Sequence, residues 1–350
     1  MVSPSSSCRS ACPSVGVPAA TRALGVMASV LLLAGVANAA SSAQSDVPSS
    51  RQVLESFPVN GQPAPGVRQG YELSLAACKD AACAFEVRLL SGAGEPLAEG
   101  GAGVSVLGGT ALEWPASAAP AQPLDVPQPG TGPFLANTAA PRVWSTGEEE
   151  GTVTASASAV PVEPGKPSGA RALLVTQMAG FDHPKRRHAL YVASQGTLKT
   201  AWSRSEPQGP YVSQVIATPG HAPMYLSVFF SPDDDAADKV SAQRLAWNAK
   251  RQVFSEEPSL AAVQAVVAGS YPTVRAARAA RAASACFAGY GVVDTWPGKG
   301  RVPHRYALIA LAVAPEQASA EAARLGQCQP GLQARQHLLS RLSPRSSSNP

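Results

Sequence analysis

The sequence predicts an α+β protein: a mostly antiparallel β sandwich or irregular barrel over residues 71–258, then a small βαββαβ unit over 259–340. Three observations carry that expectation. Ten short runs between Tyr71 and Asn248 have strand length and often alternate, with Gly, Pro and Asn/Asp between them. Two Ala-rich helical stretches occur only in the last quarter, each flanked by apolar runs of strand length. The 350 residues suit two domains of ordinary size.

At the N-terminus, "TRALGVMASVLLLAGVANAA" (Thr21 to Ala40) joins a cation, an apolar run through Leu33 and the small-residue pattern Ala37-Asn38-Ala39. That is the pattern of a secretory signal, with residues 1–39 removed and the protein exported to the periplasm or beyond. The run is too short and too rich in Ala and Gly for a membrane anchor, so no stable membrane insertion is expected. Residues 40–70 are polar and proline-spotted and read as a disordered lead-in. Loss of the leader removes Arg9 and Arg22, taking 28 cations to 26 against 24 anions. A chain so balanced offers no electrostatic footprint for nucleic acid.

Strands follow from Tyr71: "YELSLA", "FEVRLL", "GVSVLGG", "GTVTASASAV", "RALLVTQMAGF", "HALYVAS", "TLKTAWSR", "PYVSQVIA", "PMYLSVFF" and "VSAQRLAWN". A Pro-rich insertion near residues 114–142 interrupts them, as a surface loop or as a seam between β subdomains. Cys8 and Cys12 leave with the signal, so four cysteines remain in an oxidising compartment. Cys78 and Cys83 lie between strand-like runs and read as a disulfide across a hairpin end. Cys286 and Cys328 would form the second bridge. A four-Cys zinc site is the alternative, but neither pair has the short CxxC spacing of zinc ribbons, and no metal or cofactor is expected.

The densest polar cluster is "FDHPKRRHALYV", Phe181 to Val192. Pro184 and the surrounding charges suit a connection between two apolar strands, which predicts a charged hairpin tip whose histidines are replaceable at little cost. Two functional readings stand beside it. Lys185, Arg186 and Arg187 could meet an anion on a partner. Asp182, His183 and His188 could serve as ligands or as an acid/base pair of an unrecognised hydrolase, although three adjacent cations oppose a metal. The acidic turn "SPDDDAADK" lacks the spacing of an EF-hand loop and reads as solvated. No GxSxG, HExxH, P-loop or dinucleotide pattern occurs, so no catalytic residue is assigned.

In the last quarter, "AVQAVVAGSYPT" reads as a strand and Thr273 as the cap of the helix "VRAARAARAASAC". The strands "GYGVVDTW" and "RYALIALAV" follow, then the helix "PEQASAEAARLG", entered at Pro315 and closed by Gly326, then "LQARQHLL" as a returning strand. Arg275, Arg278 and Arg281 stripe one helix face and read as solvated. Residues 341–350 read as a disordered tail.

These residues resemble a known family. "VQAVVAGSYPTVRAARAA" and "YALIALAVAPEQASAEAARLGQC" are similar to the first strand, turn and helix, and to the third strand and second helix, of the sporulation-related repeat (SPOR) domain. The resemblance covers about residues 260–340. It departs from the family at Ala312-Val313-Ala314-Pro315, where a Gly-Pro-aromatic step is usual, and that bears on the ligand more than on the fold. It implies two helices side by side, which would bring Cys286 to Cys328, and an open sheet face that binds peptidoglycan glycan strands. If the helices cover Ile309 and Leu311, the opposite face presents tyrosines, and Tyr271, Tyr290, Trp296, Arg305 and Tyr306 are the expected glycan contacts. The sequence thus predicts an exported envelope protein that binds wall glycan or an envelope protein. The alternatives are the hydrolase and a purely structural protein.

Overall fold

Strand runs that are apolar on both parities, such as Ala172-Leu173-Leu174-Val175, can be satisfied only if both faces of their sheet are covered. That is what the computed structural model of the chain shows. It describes residues 51–61, 67–76, 83–93, 104–116, 121–123, 134–135, 142–146, 152–166, 168–180, 184–206, 208–218, 220–295 and 305–342. The predicted signal and the tail beyond Leu342 lie outside the described residues, whereas residues 341 and 342, expected in that tail, end a short helix, a correction. The described residues form one compact unit.

Four sheets build that unit. The first is an antiparallel meander of β1 (Gln52–Pro58), β2 (Val67–Leu75), β3 (Cys83–Ala93) and β4 (Val104–Ala116). The second contains β5 (Gln122–Pro123), β7 (Val143–Thr146), β8 (Val153–Pro161), β9 (Arg171–Ala179), β10 (Lys185–Ser194) and β11 (Thr197–Glu206), in spatial order β11-β10-β9-β8-β7-β5. The third is a meander of β12 (Tyr211–Ile216), β13 (Met224–Phe229), β14 (Lys239–Asn248) and β15 (Val253–Pro258). The fourth orders β17 (Gly291–Asp294), β18 (Tyr306–Ala312), β16 (Gln264–Tyr271) and β19 (Arg335–Leu338), and β6 (Phe134–Leu135) pairs in parallel with β18.

The period-two alternation of each strand assigns its side chains to successive interlayer cores. Leu173, Val175, Ala189 and Tyr191 of the second sheet meet Tyr71, Leu73, Phe85 and Val87 of the first. Their neighbours Ala172, Leu174, Leu190 and Val192 meet Val215, Tyr225 and Leu245 of the third. On the third sheet's other side, Met224, Leu226 and Val228 pack on Ala265, Val267, Ile309 and Leu311 of the fourth. The fourth sheet's remaining face, with Val266, Ala268, Leu308 and Ala310, receives the helices. Each fully buried Leu or Val contributes roughly 1.5–3 kcal/mol, so the four interfaces supply most of what holds the layers together.

The helices are α1 (Val274–Ala283), α2 (Pro315–Cys328) and the short α3 (Leu339–Leu342). Thr273 caps α1 as expected, its side chain accepting from the Ala276 N–H at 3.1 Å. Helix α2 runs through Gly326 to Cys328, a correction to the stop expected there: Gly326 keeps helical geometry, without the positive φ of a glycine cap. The β-α-β-β-α-β order is therefore present, with the third strand central beside the first, as in split βαβ units. Cys286 and Cys328 are joined with Cα atoms 6.0 Å apart, tying the turn after α1 to the end of α2. Cys83 is disulfide-bonded; Cys78 lies outside the described residues.

Two further expectations are corrected. The lead-in is not structureless throughout, because β1 pairs with β2 from Gln52↔Leu75 to Pro58↔Gly70. Its residues "QVLESFP" lack clean alternation and end in Pro, so they resemble linker sequence; Leu54, buried in the first core, is what anchors them. The Pro-rich insertion likewise supplies β5 and β6, each too short to show a period. Hairpin chemistry is more legible: β10 and β11 are joined by Gln195-Gly196, both at positive φ (49° and 76°), the geometry that a two-residue primed turn requires.

Candidate functional site

From Lys185 onward the cluster at 181–192 belongs to a strand and not to the connection between β9 and β10. Phe181, Asp182 and His183 lie outside the described residues. Lys185 already opens β10, and the cations that follow belong to its strand. Lys185 is exposed. Arg186 Nη1 donates to the Tyr211 carbonyl oxygen, and Arg187 Nη1 lies 3.0 Å from Glu113 Oε2. Two of the three cations offered as anion contacts are thus engaged within the protein.

His188 is the largest departure from the hairpin-tip expectation. It is 1% exposed and sits where the second and third sheets meet. Nδ1 lies 2.9 Å from Thr176 Oγ1 on β9, and Nε2 lies 2.9 Å from Ser213 Oγ on β12. Each hydroxyl can donate or accept, so either neutral tautomer is satisfied. Burial first, and then Arg186 and Arg204, push its pKa down to about 3. Glu206 accepts from Tyr225 Oη in the same seam, and its own pKa is raised by burial. A Ser–His contact at 2.9 Å has the distance of a nucleophile and base. Here the third group is the Thr176 hydroxyl where an orienting carboxylate would stand, and the pair is sealed from solvent. His188 bridges β9 of the second sheet to β12 of the third, and that burial argues against the expectation that it is replaceable at little cost.

The expected glycan contacts are divided. The helices cover Leu308 and Ala310, the parity of the tyrosines, whereas Ile309 and Leu311 face the third sheet. The expectation of outward-facing tyrosines is therefore reversed, and the helix-free face is not open. Tyr290 is 3% exposed and donates to Glu321 Oε1 at 2.6 Å, with Arg324 on the same carboxylate at 2.7 Å. Burial and the Glu321 carboxylate push the Tyr290 phenol far up, while its partners hold Glu321 down against burial. Trp296 lies outside the described residues. Tyr271, Tyr306 and Arg305 do come together: Tyr271 pairs across strands with Tyr306, Tyr306 with Asp294, and Arg305 lies 5.3 Å from the Tyr306 ring while bonding Asp294. All three are half-buried. Tyr271 folds back on its own strand, so that a Cβ on Gly269 would stand 2.8 Å from its Oη. A side chain at 269 would require that ring to shift.

Sequence reasoning saw two solvated features that are in fact partners. The acidic turn between β13 and β14 faces the arginine stripe of α1: Arg275–Asp235 at 3.6 Å, Arg278–Asp234 at 3.2 Å, Arg278–Asp238 at 3.7 Å and Arg281–Asp238 at 4.0 Å. Arg278 also donates to the Ser231 and Ala236 carbonyl oxygens at 2.8 and 3.0 Å. Buried Asp238 accepts from the Ser231 N–H and, at 2.7 Å, from the Val292 N–H of edge strand β17. Burial raises its pKa, against the pull of those N–H groups and both arginines. The signal available in the sequence was the complementarity of the two runs.

A groove of about 340 Å³ opens where the first three sheets meet, between the turn after β8 and the β14–β15 hairpin. Trp247, Val162 and Val192 give it an apolar wall; Glu163, Lys166, Arg171 and Gln252 border it. Among the described residues, no group of three or more His, Cys, Asp or Glu is placed to hold a metal. No helix among them is long and apolar enough to cross a membrane. No family model, curated protein or solved structure matches this chain.

Proposed function

We propose that this chain is an exported envelope protein that works by binding rather than by catalysis, with its βαββαβ unit serving as a structural end layer. The observation that carries the structural role of that unit is the covering of its sheet on both faces: by its helices on one side and by β12–β15 on the other. The Asp238 clamp ties the same layers at the edge. The sealed state of His188 and Ser213 supports a role without catalysis. Export is supported by residues 21–40 and by the Cys286–Cys328 pair.

A second reading keeps wall glycan as the ligand, at the half-exposed Tyr271, Arg305 and Tyr306, and is favoured by their cross-strand grouping. Sedimentation of the mature chain with insoluble peptidoglycan distinguishes the two. If the βαββαβ unit is a structural layer, the protein stays in the supernatant. Co-sedimentation that is lost in a Tyr271→Ala/Tyr306→Ala variant would replace it with the second.

A further inference from the structure

We infer that the groove at the junction of the first three sheets binds a small organic carboxylate with a flat apolar body, held by Arg171 with the body against Trp247. The inference does not rest on export or on wall binding.

Three features of the groove lead to that ligand class. Trp247 is half-buried and packs against Phe254, their ring centroids 4.9 Å apart, so the indole is supported where it lines the groove. Val162 and Val192 extend the apolar surface beside it. Such a surface accepts a ring or an unsaturated chain and gives nothing to a strongly hydrated one.

The polar border is unbalanced. Lys166 already pairs with Glu163 on the lip, so those charges cancel. Arg171 is half-buried, pairs with no acid among the described residues, and carries an Nε shielded from water without a hydrogen-bond partner. A guanidinium so placed has lost part of its hydration without gaining a counter-charge. The Arg171 backbone is pinned at the sheet junction: its N–H donates to the Val59 carbonyl oxygen at 2.7 Å and its carbonyl oxygen accepts from Tyr71 Oη at 2.8 Å. The strand position is thus fixed by the sheet junction through backbone bonds that any residue with an N–H could make, so they do not account for the guanidinium. On the opposite border, Gln252 is held at φ 53°, an uncommon conformation for a residue with a side chain, with its Oε1 accepting from Ser194. Its amide nitrogen, a donor, remains available. One unneutralised cation and one amide donor ask for an acceptor of negative charge, and a carboxylate supplies it.

The test uses ligand-observed NMR on the mature chain at pH 7, with benzoate as probe and benzamide as its uncharged isostere. Benzoate should saturate with a Kd of about 1–10 mM, as befits so small a ligand, and benzamide should bind at least about tenfold more weakly. Arg171→Gln should abolish that preference, Arg171→Lys should retain part of it, and Trp247→Leu should weaken both probes alike. Circular dichroism establishes that each variant is folded; if Arg171→Gln is not, Arg171→Lys and Trp247→Leu carry the test. Absence of saturable benzoate binding to the wild-type chain, equal affinity for the two probes, or a preference unchanged in a folded Arg171→Gln variant would overturn the inference.

Discussion

Replacing His188 by glutamine should flatten the acid limb of the stability curve. In the folded chain the imidazole is buried between Thr176 and Ser213, with Arg186 and Arg204 opposing any added charge, and its pKa falls from 6.5 to about 3. A depressed histidine pKa means that the unfolded chain takes the proton first. The stability it contributes is full above pH 6.5 and is lost progressively as pH falls from there to about 3, below which both states carry the proton. Within that window the slope approaches 1.36 kcal/mol per pH unit, so between pH 7 and pH 4 this one group should remove about 3 kcal/mol. Carboxylates titrate in the same range, so the measurement is a difference. Urea unfolding of wild type and His188→Gln at pH 7, 6, 5 and 4 should give curves that converge toward acid by about that amount. Parallel pH dependences in two cooperatively folded proteins would refute the buried, neutral imidazole and the sealed seam built on it.

Removing the Cys286–Cys328 bridge by a double Cys→Ser change should cost up to about 4 kcal/mol by chain entropy, and non-reducing peptide maps should show that pair in the wild type. Crossed pairing would break the assignment. Arg278→Met should destabilise by about 2–4 kcal/mol, because it strips partners from the acidic turn and leaves Asp238 less compensated; amide exchange should then accelerate first in β17. A change within about 0.5 kcal/mol would return that arginine to the solvated face. Tyr71→Phe should cost about 1–3 kcal/mol through loss of the bridge from the Arg171 carbonyl oxygen to the Ala193 N–H, read as a lowered urea midpoint at unchanged slope. Mass spectrometry of exported material should find an N-terminus near Ala40, and a retained 21–39 segment would remove the export reading.

Local chemistry was legible in the sequence wherever it is written in neighbouring residues. Strand alternation located most of β2 to β18, Thr273 marked the start of α1, and Gln195-Gly196 lay between two strand runs. What escaped was whatever depends on the residues that cover a face. A period of two states that Leu308 and Ile309 point oppositely, but it carries no information on which of them meets a helix and which meets another sheet. That choice, made by packing, turned Tyr290 inward and closed the face expected to bind glycan. His188 looked like tip decoration because its neighbours in the chain are charged; its neighbours in space are the hydroxyls of Thr176 and Ser213, the latter 25 residues away. The aspartates at 234–238 and the arginines of α1 are each ordinary solvated charges when read alone. Their pairing spans about forty residues, and only the stacking of the third and fourth sheets brings them within reach. Short-range torsional and hydrophobic preferences therefore determined the elements, while interlayer burial, which has no local signature, decided which polar groups became partners.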